Sequence, residues 1–270
     1  MQVNRSGYYR YLEQKNVTKK SDVFVTKLVV EMKVLHKKSR RSYGSRQMAQ
    51  KLKSMGYKVG RFLIRRLMKE HGIECKQRRR YKITTNSVHS KPVADNKLDR
   101  NFAVSKPNKV WVADITYLWT LEGWVYVAAV LDLYSRRVVG WAIAEHMRTE
   151  LIADALKMAV SRRDPVFGLM HHSDRGSQYA GSDYQALLEQ WGIEVSMSRK
   201  GNCWDNAVME RFFGSLKSER TDGERYLTRK QAKDDVIDYI EMFYNSDRLH
   251  STLGYVSPAE FEKHTIGSFS

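Results

Sequence analysis

The sequence predicts an α/β protein in which a mixed sheet flanked by helices follows an all-α helix-turn-helix module. Two observations predict this class. Apolar residues recur at helical spacing in the first part of the chain, and three strand-like runs begin at residue 110, followed by alternating helices and strands. Strands first and then alternating elements are typical of a mixed sheet with helices packed on it. With 270 residues, 42% of them hydrophobic, the chain can bury one or two cores.

Three amphipathic helices are predicted before residue 73. The first covers residues 21–38, where apolar residues recur every three or four positions. The second starts near Gly44-Ser45, a suitable helix cap, and ends at Gly56, because glycine readily adopts the left-handed conformation of a helix stop. The third runs from Gly60 to His71 and ends at Gly72.

The third predicted helix has two different faces. Its apolar side is formed by Leu63, Ile64, Leu67 and Met68. Its basic side is formed by Arg61, Arg65 and Lys69, at steps of four. Two short helices with a basic outer face on the second are typical of a helix-turn-helix that enters the DNA major groove. An ordinary helical hairpin is the alternative, since amphipathic pairs are common.

The positive charge is concentrated at one end of the chain. Residues 1–100 contain 27 Lys and Arg against 7 Asp and Glu, whereas the rest of the chain is close to neutral, and the total is +17. Such a field favours a polyanion, and nucleic acid is the leading candidate. A solvated basic surface is the alternative. Arg78, Arg79 and Arg80 precede a polar stretch, residues 82–106, which is predicted to be a linker that lies along phosphates.

The predicted organisation has four parts: a basic helical module over residues 1–81, the linker over 82–106, a sheet-containing core over 107–222 and a C-terminal helical extension over 223–270. No apolar run approaches the ~20 residues of a membrane-spanning helix, and the chain starts without a signal segment, so a cytoplasmic location is expected. Cys75 and Cys203 are too few and too far apart to support a disulfide framework or a zinc knuckle.

Three acidic residues fall at positions that suit a metal site. Asp114 lies inside the first predicted strand, where a carboxylate is costly unless a cation compensates it. Asp174 follows a short predicted strand, and strand ends commonly present ligands. Glu210 lies on a long helix predicted from about Asn206 to Glu219. If the sheet brings the acids together, a hard divalent cation such as Mg²⁺ would offset their repulsion.

The positions alone leave other roles open. Asp174 also fits a turn before Gly176, and Glu210 also fits a solvated helix residue paired with Arg211 or Lys217. Because roughly one residue in nine is acidic, pairs at this spacing arise by chance in most chains.

The segments around the acids resemble the integrase core of bacterial insertion-sequence transposases of the DDE type. The segments that carry the resemblance are Trp111–Tyr117, His172–Tyr179, Ser198–Lys217, Tyr244–Tyr255 with Ser257-Pro258, and Ser6–Tyr9. The nearest group is the insertion sequence three family, specifically its second-frame protein. The resemblance covers nearly the whole chain.

This resemblance implies an RNase H-like fold in which Asp114, Asp174 and Glu210 are the catalytic, metal-binding acids. It implies polynucleotidyl transfer, with two Mg²⁺ or Mn²⁺ ions per active site, 3′-end cleavage at the element ends and strand transfer into target DNA. The implied partners are duplex DNA, in the form of terminal inverted repeats and target, other copies of the chain on that DNA, and a first-frame protein, fused or separate. The implied location is the bacterial nucleoid.

Three further residues are candidates for DNA contact. Lys217 is seven residues after Glu210, on the same helix face. The family places a basic residue at this position, so we expect Lys217 to hold a phosphate. A solvated lysine is the alternative. Trp204 is expected either to pack in the core or to stack on an unpaired base. His172 is expected either to reach a phosphate or a metal-bound water, or to be satisfied by backbone. Asn206 suits a helix cap.

The chain departs from related enzymes in two ways. It lacks the His and Cys zinc module of retroviral integrases, and it contains no heptad zipper of the kind the first-frame product carries. Activity without that product is therefore in doubt. Two rival functions are a non-catalytic DNA-binding regulator derived from a transposase, and a nuclease of the same fold that cuts without joining.

Overall fold

The chain divides into two compact units, residues 1–76 and 77–270. A computed structural model describes residues 4–16, 20–76, 93–165 and 167–266. Arg78, Arg79 and Arg80 lie outside the described residues. In the described part of the chain, no helix is both long enough and apolar enough to cross a membrane.

The first unit is helical. Its helices are α1 Arg5–Asn16, α2 Lys20–Lys38, α3 Ser45–Ser54 and α4 Arg61–Glu70. The sequence predicts the last three to within two residues, and Gly56 and Gly72 have the positive φ angles expected of left-handed stops. Helix α1 was not predicted, because its tyrosines are exposed and its sequence carries no apolar stripe for periodicity to detect.

Helices α2, α3 and α4 of the first unit share an apolar core. Its most buried side chains are Leu28 and Met32 from α2, Met48 and Leu52 from α3, and Ile64 from α4. Helices α3 and α4 pack together as the two arms of a hairpin, and α4 is preceded by Gly60, which provides no side-chain cap. The apolar stripe predicted for α4 is therefore the face that holds this unit together.

The second unit is built on a five-stranded mixed sheet. Its strands are β1 Val110–Thr120, β2 Gly123–Asp132, β3 Val138–Ala144, β4 Met170–Ser173 and β5 Glu194–Met197. Their order is β3-β2-β1-β4-β5. The first three strands form an antiparallel meander, while β4 is parallel to β1 and β5 is parallel to β4. The predicted class, a mixed sheet flanked by helices, is confirmed.

Helices cover both faces of the sheet. They are α5 Thr149–Arg163, α6 Ser182–Gln190, α7 Ala207–Leu216, α8 Arg229–Asp238 and α9 Pro258–Ile266. Helices α5 and α6 bury one face with Trp111 and Ala113 of β1, whereas α7 and α8 bury the other with Val112. Strand β3 approaches α5 so closely at Gly140 that a Cβ there would lie 2.1 Å from the carbonyl oxygen of Ala155.

The C-terminal segment completes the second core. A π-helical turn, Tyr239–Tyr244, continues α8, and its tyrosines pack with β1, β2 and α7. The Asn245 side chain then pairs with the backbone of Val138, donating to its oxygen and accepting from its nitrogen at 3.0 Å each. Residues 223–266 are thus an integral part of the sheet unit in this structure.

The described part of the predicted linker also packs on the sheet unit. Leu98 is buried among the side chains of the second core, and the backbone nitrogens of Lys97 and Leu98 donate to the Ser196 hydroxyl at 3.0 and 3.2 Å. Polar composition predicted a linker along phosphates here. Its apolar residues Leu98, Phe102 and Val104, together with hydrogen bonds from Asn96 and Arg100 to Asp205, attach it to the protein.

Candidate active site

Asp114 and Asp174 are brought side by side by the register of two parallel strands. Strand β1 pairs with β4 so that Val110 faces Met170 and Val112 faces His172. Asp114 lies two residues further along β1, and Asp174 lies just past the end of β4, two residues beyond His172. Neighbouring strands are about 4.8 Å apart. Repulsion from Asp174 helps to raise the pKa of Asp114, so the two carboxylates lie near each other where β4 ends.

Each of these carboxylates is held by a nearby backbone amide. Ile115 donates to Oδ1 of Asp114 at 2.7 Å, and Gly176 donates to Oδ1 of Asp174 at 2.9 Å. A Cβ at position 176 would lie 3.0 Å from that same Asp174 oxygen. Glycine at 176 therefore leaves room for the carboxylate, and its amide fixes the Asp174 side chain within the turn that follows β4.

Glu210 reaches the same region from α7. This helix begins at Ala207, and the preceding residue, Asn206, makes no capping hydrogen bond. The predicted cap is thus wrong: Asn206 instead donates through Nδ2 to the carbonyl oxygen of Ala113, at 3.1 Å. That bond ties the start of α7 to β1 directly beside Asp114. It fixes the position of Glu210, which lies one turn into the helix, relative to strand β1.

The three acids interact electrostatically. Burial, repulsion from Asp174 and, more weakly, repulsion from Glu210 raise the pKa of Asp114 well above its ordinary value of 3.8. Burial also raises the pKa of Glu210. A cation among the acids would lower these raised pKa values, because it favours the charged form of each carboxylate.

The acids form an open arrangement. Among the residues that the structure describes, no three His, Cys, Asp or Glu side chains stand close enough together to hold a metal ion directly. Mg²⁺ usually binds one or two carboxylates, several waters and substrate phosphates, so an open set of oxygen donors suits it. The buried Tyr179 hydroxyl has no hydrogen-bond partner within the described part of the chain, and burial, Asp114, Tyr184 and Asp174 raise its pKa. An orphaned polar atom beside two carboxylates indicates a site that is completed by a further ligand.

Lys217 lies at the edge of this site. It opens the π-helical turn Lys217–Thr221 that continues α7, and its Nζ is 5.3 Å from the centroid of the Tyr117 ring. Burial lowers its pKa, and the nearby Tyr117, Asp222 and Asp114 oppose that effect. Its positive charge in turn stabilises the Asp114 carboxylate. Lys217 is thus a cation at the margin of the acidic cluster.

The two other predicted DNA-contact residues of this unit, His172 and Trp204, differ in burial. His172 is fully buried, and its Nδ1 and Nε2 lie 2.9 and 3.2 Å from the hydroxyls of Ser196 and Ser198. A DNA contact by His172 is incompatible with this packing. The ring is engaged by the two serine hydroxyls and by the backbone of Asp205, so the predicted backbone contact is present alongside the serines. Trp204, by contrast, is 68% exposed, so the prediction that it packs in the core is wrong.

Sequence reasoning missed Asp205. Its side chain is fully buried and accepts hydrogen bonds from the guanidinium groups of Arg199 and Arg100, at 2.8 to 2.9 Å. The Arg199 backbone nitrogen and Asn96 Nδ2 each donate to it at 3.0 Å. Two of these partners lie more than a hundred positions away, so no local pattern could reveal them. Asp205 anchors the loop that leads into α7.

The predicted DNA contacts of the first unit all lie on one exposed helix face. Arg61, Arg65 and Lys69 of α4 are exposed, while Ile64 and Leu67 are buried. The basic side chains are therefore accessible to a ligand of the first unit. Helix α4 follows α3 after six connecting residues, 55–60, in the order of a helix-turn-helix-like pair.

The sheet unit with its three acids, preceded by a helix-turn-helix-like unit, defines a protein of the integrase-core class. Models of an integrase core domain match residues 104–203 and 210–266, and a model of an HTH-like domain matches residues 26–81. The chain belongs to the IS3 family of insertion-sequence transposases.

Two relatives span nearly the whole chain. The 31 kDa protein of insertion element IS600 from Shigella sonnei is 47% identical over 262 residues, covering 97% of this chain and 95% of that protein. Transposase InsF of insertion sequence IS3A from Escherichia coli K12 is 36% identical over 266 residues, covering 98% and 92%. A simian T-cell lymphotropic virus intasome, bound to PP2A regulatory subunit B56 gamma, shares 15% identity over 84% of this chain and 72% of that chain, with a TM-score of 0.49.

Proposed function

We propose that this chain is a DNA transposase that binds the ends of an insertion sequence, cleaves their 3′ ends and joins them to target DNA. The observation that carries the proposal is the parallel register of β1 and β4, which sets Asp114 beside Asp174, with Glu210 close enough to shift the pKa of Asp114. Paired carboxylates at the end of a sheet strand are suited to transfer of a phosphoryl group between oxygens.

Asp114, Asp174 and Glu210 are the residues that would hold Mg²⁺ or Mn²⁺, two ions in our proposal. When bound, such ions lower the pKa of an attacking oxygen and neutralise charge at the scissile phosphate. The chain's own part is to fix the carboxylates. The amides of Ile115 and Gly176 orient two of them, and the bond from Asn206 to Ala113 sets the position of α7.

Two residues near the acids are proposed to position DNA. Lys217 supplies a positive charge at the margin of the cluster, where a phosphate next to the scissile one would lie. Trp204 offers an exposed indole on the short 3-10 helix before α7, where it can stack on an unpaired base near the element tip. His172 is not part of this interface, because both of its ring nitrogens are engaged inside the protein.

The first unit is proposed to bind the terminal inverted repeats. Its α4 presents Arg61, Arg65 and Lys69 to solvent, and residues 1–76 contain 20 Lys and Arg against 5 Asp and Glu, a net charge of +15. That charge attracts any duplex, whereas side chains at the start of a recognition helix read base edges. We further propose that the protein acts as an oligomer on DNA, with the first-frame protein as a fused or separate partner.

Labelled element ends incubated with the protein, Mg²⁺ and a target duplex test this function. The proposal predicts release of a 3′ end and a joined product that is absent without the metal. Cleavage without joining would identify a nuclease of the same fold. Binding with neither product, in a reaction that also contains the first-frame protein, would identify a non-catalytic regulator.

Arg61→Ala or Arg65→Ala is expected to reduce the preference for element ends over random DNA. Loss of a bidentate contact to guanine removes roughly 1–3 kcal/mol of discrimination. The measurement is a paired titration of each variant against both duplexes at two salt concentrations. The matched variant replaces Arg78, Arg79 and Arg80 together, which should weaken both duplexes by a similar factor and flatten the salt dependence. If the α4 variants lose affinity equally for both duplexes, these arginines contact phosphates and do not read bases.

A further inference from the structure

Phe62 is an apolar side chain on the face of α4 that is exposed in the first unit. It is the second residue of the helix, and 84% of its surface is exposed. A single exposed apolar residue on a protein surface ordinarily needs no explanation. The position of Phe62 on this particular helix is what calls for one.

Helix geometry places Phe62 at the centre of the basic face. Successive residues of an α-helix are rotated by about 100°. The buried stripe of α4 is formed by Ile64, Leu67 and Met68, and Phe62 points almost directly away from it. Four exposed cations flank the ring, namely Arg61, Arg65 and Lys69 on one side and Arg66 on the other.

A phenyl ring surrounded by exposed cations favours one kind of partner. A protein surface that covered the phenyl ring would also have to desolvate several cations, and one ring is far smaller than the roughly 800 Å² that each partner buries in a stable interface. Duplex DNA accepts both features at once: phosphates line the groove, and its floor offers the thymine 5-methyl group to apolar side chains.

We propose that Phe62 contacts the 5-methyl group of a thymine in the major groove and thereby helps to select the element end. The proposal rests on the proposed DNA-binding function of the first unit and names the base that one residue reads. Phe62 is well placed for this, since the N-terminal residues of a recognition helix contact base edges. The adjacent arginines supply attraction and guanine contacts, and the phenyl ring adds selection for thymine.

The test replaces thymine with deoxyuridine, which pairs identically but lacks the methyl group. Duplexes selected by the full-length wild-type protein from a random-sequence library serve as probes, and each is remade with uracil at one thymine at a time. We expect one such substitution per binding site to weaken wild-type binding about three- to fivefold, as for loss of about one buried methyl group. For Phe62→Ala, the thymine and uracil duplexes should bind equally.

Two control variants test whether the effect is specific to Phe62. Arg66→Ala should weaken binding yet retain the difference between thymine and uracil. Phe167→Ala, which removes an 88% exposed phenylalanine from the other unit, should match the wild type. If the wild type selects a sequence but tolerates uracil at every position, or if Phe62→Ala keeps the full discrimination, the thymine contact is wrong while the DNA-binding function stands. If the wild type selects no sequence at all, the recognition function itself fails.

Discussion

Asp114→Asn, Asp174→Asn and Glu210→Gln are each expected to reduce strand cleavage and joining to the background level while DNA binding stays close to that of the wild type. Each change removes a charged ligand oxygen but leaves the basic residues of the first unit in place. The amide side chains are nearly isosteric with the acids, so the folded structure should persist. The measurement is the yield of cleaved and joined products from labelled element ends, with a parallel binding titration.

Asp154→Asn and Glu189→Gln are the matched controls. Both replace exposed acids on the helices of the same unit, α5 and α6. They remove the same charge from the protein without touching the cluster, so both products should form at wild-type rates. Full activity in any one of the three cluster variants would remove that acid from the proposed site.

Asp205→Asn is expected to destabilise the second unit by about 2–3 kcal/mol at neutral pH. Removing one partner of a buried ion pair costs about 3–5 kcal/mol, and the loss should be smaller here because Arg100 and Arg199 are almost half exposed and can regain water. In the variant, the NH₂ group of the asparagine side chain is itself a donor, and it faces groups that only donate hydrogen bonds. Denaturant unfolding of both proteins measures the difference in free energy.

The difference should depend on pH in a defined direction. Hydrogen bonds from Arg199, and a further one from Arg100, hold the pKa of Asp205 well below its ordinary value of 3.8. A depressed pKa stabilises the fold above the ordinary value and loses that effect as the pH falls toward the folded-state pKa. The gap between wild type and Asp205→Asn should thus be constant above about pH 5 and shrink below it.

Asp234→Asn provides the control for that measurement. Asp234 pairs with Lys230 at 2.6 Å, but both side chains are mostly exposed. Exposed ion pairs contribute about 0–1 kcal/mol, so this variant should unfold almost as the wild type does. Equal stability of Asp205→Asn and Asp234→Asn would show that the buried network around Asp205 does not stabilise the unit.

Local patterns predicted most of the secondary structure. Strand-like runs located β1, β2 and β3, and helical spacing located α2, α3 and α4, because each of these three helices buries one side against a core. Helix α1 escaped prediction, since its tyrosines remain exposed. The long helix predicted to Glu219 passes from α-helix into a π-helical turn at Lys217, and nothing in the local pattern signals that change.

The sequence by itself determined most of the elements, the division of charge and the three candidate acids, because these depend on residue type and short-range spacing. Only the tertiary structure decided which groups meet. The parallel pairing of β1 with β4 brings Asp114 near Asp174, and Asn206 binds the strand instead of capping its helix. Burial of His172 and exposure of Trp204 likewise follow from packing between segments far apart in the chain, which no local pattern encodes.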